Sequence, residues 1–119
     1  MNRSRITVDV SLDETSVPES IEWAASASSA EETQRAKAMM MAFWDGREKA
    51  AMRIDIWTKD MMVDEMADFY YQNLMGLADS FERSTHQQEL VDDMKRFAKA
   101  FYHKFKALQQ RTAEGGQGV

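Results

Sequence analysis

Residues 38–66 place two apolar stretches on either side of Asp45-Gly46 and follow them with an acidic helix start. That order restricts the fold more than any other feature of the chain. Residues 38–44 (Ala-Met-Met-Met-Ala-Phe-Trp) and 50–57 (Ala-Ala-Met-Arg-Ile-Asp-Ile-Trp) predict two strands. A connection this short joins antiparallel neighbours, so they form a hairpin. Its register follows from the two-residue side-chain period. A four-residue connection over 45–48 sets Met41 opposite Met52, Met39 opposite Ile54 and Phe43 opposite Ala50. These residues then share one face with Ile56. A two-residue Asp45-Gly46 turn is the commoner use of that dipeptide. It pairs Met39 with Met52, but also Trp44 with Arg47 and Lys37 with Ile54. The longer loop agrees better with the hydrophobic pattern.

Upstream, Ile6, Val8, Val10 and Leu12 alternate with Thr7, Asp9 and Ser11, the pattern of a strand with one buried face. The strand is expected to end in the cluster at 13–16. Pro18 favours an extended or turn geometry at Val17 and a short helical turn after it. Ile21 and Trp23 read as plugs anchoring this connection, and residues 24–32 as a loop or weak helix.

Downstream, Met62, Met66, Phe69, Tyr70, Leu74, Leu77, Ala78 and Phe81 recur at helical spacing over 62–82. Asp64 and Glu65 suit the positive end of that helix. A second helix is expected from Ser84 or Thr85, each with glutamine three residues on, a capping-box pattern. Its apolar positions are Val91, Met94, Ala98, Phe101, Phe105 and Leu108, with Phe97 and Tyr102 on the flanks. The expected fold is therefore α+β: a small antiparallel three-stranded sheet in β-β-β-α-α order, with two long C-terminal helices on one face. Residues 1–112 are expected to form a single domain and 113–119 a disordered Gly-rich tail.

The chain has 119 residues, enough for one domain, and 44% hydrophobic with 29% charged composition suits a packed core. A net charge of −5 and a pI near 5.0 argue against nucleic acid or an anionic membrane as partner. There is no cysteine, hence no disulfide or thiolate chemistry. Asp9 interrupts any signal-peptide apolar region, and no later run reaches the ~20 residues of a membrane span. The chain reads as cytoplasmic.

Candidate chemistry is sparse. His86 and Glu89, three apart, are the one metal-ligand pair, and His103 lies about 25 Å further along a helix. Asp60, Asp64, Glu65 and Asp68 crowd the first helix start, where dipole complementation and solubility account for them. Gly46 and Gly76 stand alone, so no phosphate loop exists, and no serine sits in a nucleophile elbow. Arg96, Lys99, His103 and Lys106 form a basic stripe that reads as a solvated face at the negative end of a helix. No catalytic, cofactor-binding or metal residue is assigned.

The hairpin offers a surface instead. With Met39, Met41, Phe43, Met52, Ile54 and Ile56 turned towards the helices, Ala38, Met40, Ala42, Trp44 and Trp57 turn the other way. Only Arg53 and Asp55 interrupt them. A sheet covered on one side normally shows a polar outer face. Methionine and tryptophan make an adaptable contact surface, so Met40, Trp44, Arg53, Asp55 and Trp57 are the candidate partner-binding residues. The alternative is internal cover by the 21–32 segment.

At Trp44-Asp45-Gly46 and along residues 52–66, Met-Arg-Ile-Asp-Ile-Trp-Thr-Lys-Asp-Met-Met-Val-Asp-Glu-Met, the chain resembles the gliding motility protein GldC family. Residues 6–13, 17–23, 36–39 and the stretch around Leu77-Ala78-Asp79 are similar to the same family, in the same order. Met62 departs from the pattern, which places proline there. The resemblance implies a small non-enzymatic accessory protein of the bacterial gliding apparatus, with no catalytic residue or cofactor to carry over. The expected partners are a protein of that machinery, a second copy, or both. The alternative reading is a small-molecule-binding module with a pocket of Met, Phe and Tyr between sheet and helices.

Overall fold

The computed structural model describes residues 2–26 and 32–115. Five strands precede two helices, and the chain divides into two compact units, Met1–Met61 and Met62–Val119. The α+β class and the strands-then-helices order are as expected.

The strand unit holds two antiparallel sheets rather than a single three-stranded one. In the first, β1 (Ile6–Leu12), β2 (Pro18–Ala25) and β3 (Gln34–Ala36) pair in that order. In the second, β4 (Ala38–Asp45) pairs with β5 (Ala50–Trp57). The expected plug around Ile21 and Trp23 is thus the central strand of a sheet. Proline is tolerated as the first residue of a strand, so Pro18 opens β2 instead of a helical turn. Val8 faces Trp23, Val10 faces Ile21, and Ile21 faces Ala36, which gathers the apolar side chains on one face. Ile21 is 1% exposed and anchors this unit. Of the expected 24–32 loop, residues 27–31 lie outside the described residues.

Between β1 and β2 the chain turns on one carboxylate. Asp13 accepts from the Thr15 N–H at 2.8 Å, the Thr15 hydroxyl at 2.8 Å and the Val17 N–H at 3.0 Å. Such an Asx arrangement mimics a backbone turn, and here it ends in Ser16 at φ 65°.

β3 and β4 form one strand bent at Lys37, pairing with β2 before the bend and with β5 after it. Thr58, 2% exposed, closes the bend from the end of β5. Its N–H donates to the Lys37 carbonyl at 2.7 Å, and its hydroxyl lies 2.7 Å from the same oxygen and 2.6 Å from the Asp60 carboxylate. Next to it, the Lys59 N–H donates to the Pro18 carbonyl at 3.1 Å. The two sheets are thereby fastened at their junction.

The helical unit is an antiparallel pair, α1 (Val63–Thr85) and α2 (Gln88–Gly115). Met62 is the N-cap of α1, with its N–H donating to the Glu65 carboxylate at 3.2 Å, so the start is sharp without proline. α1 runs three residues past the expected 82. Ser84 and Thr85 do not open the second helix; their hydroxyls bond back to the Phe81 carbonyl inside α1. His86, at φ 56°, ends it in the left-handed conformation. The Thr85 hydroxyl also accepts the Gln87 N–H at 3.3 Å, so it bridges the end of α1 to the residue before α2 rather than opening α2 itself.

Tyr71 and Tyr102, with ring centroids 4.6 Å apart, and the Lys95–Asp79 ion pair at 3.1 Å register the helices. The seam therefore follows 67, 71, 74 and 78 on α1 and 91, 95, 98 and 102 on α2, steps of four and three on each. Ala67, Ala78, Val91 and Ala98 on it are buried. Tyr102 belongs to this seam rather than to a flank. The apolar arc is wider than the seam, leaving Tyr70, Leu77 and Phe97 exposed. α2 extends to Gly115, within the expected tail; residues 116–119 lie outside the described residues.

Candidate functional site

The β4–β5 hairpin is closed by a four-residue loop, 46–49. Asp45 organises it: its carboxylate accepts the N–H groups of Arg47 at 2.9 Å and Glu48 at 3.1 Å, and its carbonyl accepts that of Lys49 at 2.8 Å. Lys49 sits at φ 54°. The resulting register pairs Met39 with Ile56, Met41 with Ile54, Phe43 with Met52 and Asp45 with Ala50. Each pairing is displaced by two residues from the expected one. An even displacement preserves which side chains share a face. Met39, Met41, Phe43, Met52, Ile54 and Ile56 do lie together, and Ala38, Met40, Ala42, Trp44, Arg53, Asp55 and Trp57 lie on the other side.

The expectation that the first of these faces is buried is not met at Phe43, Met52 and Ile54, which are 58%, 59% and 49% exposed. The second face is also open. Trp44, at the loop end, is 69% exposed, and Trp57, at the opposite end, is 54% exposed. The described residues of the 21–32 segment, 21–26 and 32, leave both tryptophans exposed. Met40 is half-buried. Between the tryptophans, the Arg53 guanidinium grips Asp55 bidentately, Nε to one oxygen at 3.1 Å and a terminal nitrogen to the other at 2.9 Å. The five candidate residues therefore stand on one hairpin face, aromatic at both ends and charged in the middle.

Sequence reasoning missed a charged cluster at the junction of the sheets. The Lys59 ammonium lies 3.1 Å from Asp13 and 3.4 Å from Glu19, pinning the end of β5 to the β1–β2 turn. The Val17 N–H first, then the Thr15 hydroxyl and N–H and the Lys59 ammonium, hold the Asp13 carboxyl far below the usual carboxylate range. Lys59 is raised in turn, chiefly by its hydrogen bond to Asp13. The Thr58 hydroxyl is the main cause lowering Asp60. The cluster at 13–16 carried the Asx signal; nothing in residue spacing pointed to Lys59. These bonds join strands and are structural.

Hollows in this unit are shallow. One of about 290 Å³ is lined by Glu19, Ser20, Arg35, Lys37, Thr58 and Asp60, and another of about 290 Å³ by Val17, Pro18, Asp55, Ile56, Trp57 and Lys59. In the helical unit His86 caps α1 while Glu89 belongs to α2, so the pair does not share one helix. Of the basic stripe, Arg96 pairs with Asp93, and Lys106 lies 5.2 Å from the Tyr102 ring centroid. No group of three or more His, Asp or Glu side chains among the described residues could hold a metal ion.

A model of the gliding motility-associated protein GldC-like family matches residues 18–107. The chain belongs to the GldC-like family. The match starts at the first residue of β2 and takes in the whole β4–β5 hairpin, the Thr58 clamp and α1. Membership makes this a gliding-motility-associated protein. No curated protein and no solved structure matches the chain. No helix among the described residues is long and apolar enough to cross a membrane.

Proposed function

We propose that this GldC-like protein is a non-enzymatic accessory factor of the gliding apparatus, working in the cytoplasm by docking a protein partner on one face of its β4–β5 hairpin. The observation that carries the reading is the exposure of Trp44 and Trp57 at the two ends of that face, 69% and 54%. Tryptophan is the residue most enriched among binding anchors, because it buries a large rigid surface at little entropic cost. Met40 adds an adaptable apolar contact beside them. Arg53 and Asp55, already paired with each other, set orientation without leaving an isolated charge to be desolvated.

Complementation tests it. In a strain lacking the protein, the wild-type chain restores colony spreading, and the Trp44→Ala/Trp57→Ala double variant, folded and equally abundant, does not. Full spreading with the double variant overturns the docking role.

A further inference from the structure

The seam between α1 and α2 leaves an apolar face of the helical unit exposed. Tyr70 and Leu77 on α1 and Leu90, Phe97 and Leu108 on α2 all stand open to solvent. Tyr70, Leu77, Leu90 and Phe97 each precede a seam residue by one position: Tyr71, Ala78, Val91 and Ala98. In an antiparallel pair, equal offsets from the seam fall on the same side, because chain direction and sense of rotation reverse together. The exposed apolar side chains of both helices therefore form one face. Monomeric proteins seldom leave such a face open.

Along each helix the face reads the same in both directions. On α1, Tyr70 with Leu77 and Met66 with Phe81 are spaced evenly about a point between Asn73 and Leu74. On α2, Phe97 with Phe101 and Leu90 with Leu108 are spaced evenly about Lys99. The Tyr71–Tyr102 and Asp79–Lys95 contacts across the seam bring these two midpoints to one height, within about 2 Å of helical rise. An isologous contact demands this kind of self-match.

We propose that this face packs on the same face of a second copy, about a two-fold axis perpendicular to the helices at the level of Lys99. The product is a four-helix bundle with every neighbouring pair antiparallel. Tyr70 then meets Leu77 of the copy, Phe97 meets Phe101, and Leu90 meets Leu108. A two-fold axis parallel to the helices would also join the faces, by laying α1 on α2 of the copy. Charge separates the two arrangements. Asp93 and Lys104 stand eleven positions apart, or three turns, on the edge of the face remote from α1, and they straddle Lys99. The perpendicular axis brings Asp93 level with Lys104 of the copy, twice. The parallel axis sets these charges level with Ser80 and Phe69, which carry none. Asp93 also accepts from Arg96 of its own chain, and a carboxylate has room for a second donor. Such pairs fix the register of a contact more than they strengthen it.

Sedimentation equilibrium across the micromolar range reports a mass of twice 13.7 kDa for the wild type. Phe97→Ser, a change at an exposed position, sediments as the monomer. The Trp44→Ala/Trp57→Ala variant keeps the dimer mass whatever it does to spreading, so this contact and the docking role fail separately. Asp93→Lys and Lys104→Asp each raise the dissociation constant about tenfold by setting like charges together. An equimolar mixture of the two recovers the wild-type value, because every pair is then opposite in charge. The chain has no cysteine, so a single introduced one reports position. Asn73→Cys, at the edge of the face beside the axis, oxidises to a disulfide-linked dimer, and Gln72→Cys, on the far side of α1, does not. A monomeric wild type, a dimeric Phe97→Ser, or a monomeric double tryptophan variant overturns the proposal. So does a mixture that binds no tighter than its components, or equal cross-linking at 72 and 73.

Discussion

Thr58 presents both its amide and its hydroxyl to the Lys37 carbonyl, each at 2.7 Å, where one long strand passes from the first sheet to the second. A hydroxyl has one proton, and the Asp60 carboxylate at 2.6 Å competes for it. The amide keeps the carbonyl satisfied while the hydroxyl serves the carboxylate. Thr58→Val preserves the shape and removes the hydroxyl, so it destabilises by about 1–3 kcal/mol. Thr58→Ser keeps the hydroxyl and loses one methyl group, which costs about 1 kcal/mol. Urea unfolding with an unchanged slope measures both. Equal stability of wild type and Thr58→Val removes the clamp from the account.

Asp13 and Lys59 make the same junction sensitive to pH. The folded protein depresses Asp13, so the stability this carboxylate contributes is complete above its unfolded value of about 4. That contribution fades as pH falls from there towards the depressed folded value. Lys59 is raised, so its contribution is complete below about 10.4 and fades as pH climbs through the folded value. Asp13→Asn therefore lowers the thermal midpoint by a constant amount from pH 5 to 9, and the gap to wild type narrows below pH 4. Parallel curves down to pH 2 contradict the assignment.

The hairpin loop carries backbone strain at Lys49, where φ is 54°. A non-glycine residue there costs about 1–2 kcal/mol, and glycine relieves it while adding entropy to the unfolded chain. Lys49→Gly should stabilise by about 0.5–1 kcal/mol. Asp45→Ala removes the acceptor of two loop amides and destabilises by about 1 kcal/mol. Chemical denaturation of the pair checks the opposite signs.

This loop also shows where legibility ends. Side-chain alternation in 38–44 and 50–57 identified both strands and sorted their faces correctly, because parity survives a slip of two. The register itself depends on Lys49 in a left-handed conformation, which no residue type there announces. The alternation of Ile21 and Trp23 with Ser20 and Glu22 is that of a strand, but Pro18 and the short span suit a turn as well. Both helices were legible from their apolar spacing. Their junction was not, since Ser84 and Thr85 suit a cap and a back-bonded last turn equally well. Of the candidate site, the five residues sharing a face were legible by parity. Lys59 was not, because its partner Asp13 lies 46 positions away.

The helical seam gives a further prediction. Ala78 and Ala98 are each 0% exposed, on the 67-71-74-78 and 91-95-98-102 rows. Small side chains at such positions let helix axes approach to about 8 Å, the short end of the usual range. A leucine at either position has no room without off-rotamer packing or a shift of the helix, which costs about 1–3 kcal/mol. Ala100, exposed on the same helix as Ala98, has no such neighbour. Ala78→Leu and Ala98→Leu should each lower stability by that amount, and Ala100→Leu should leave it within about 0.5 kcal/mol. Quenching of the Tyr71–Tyr102 pair, whose rings stand 4.6 Å apart, provides a local readout that weakens in the first two variants only. If Ala100→Leu is as damaging as Ala98→Leu, the seam runs along a different row of α2 and the pairing of Asp79 with Lys95 cannot be its edge.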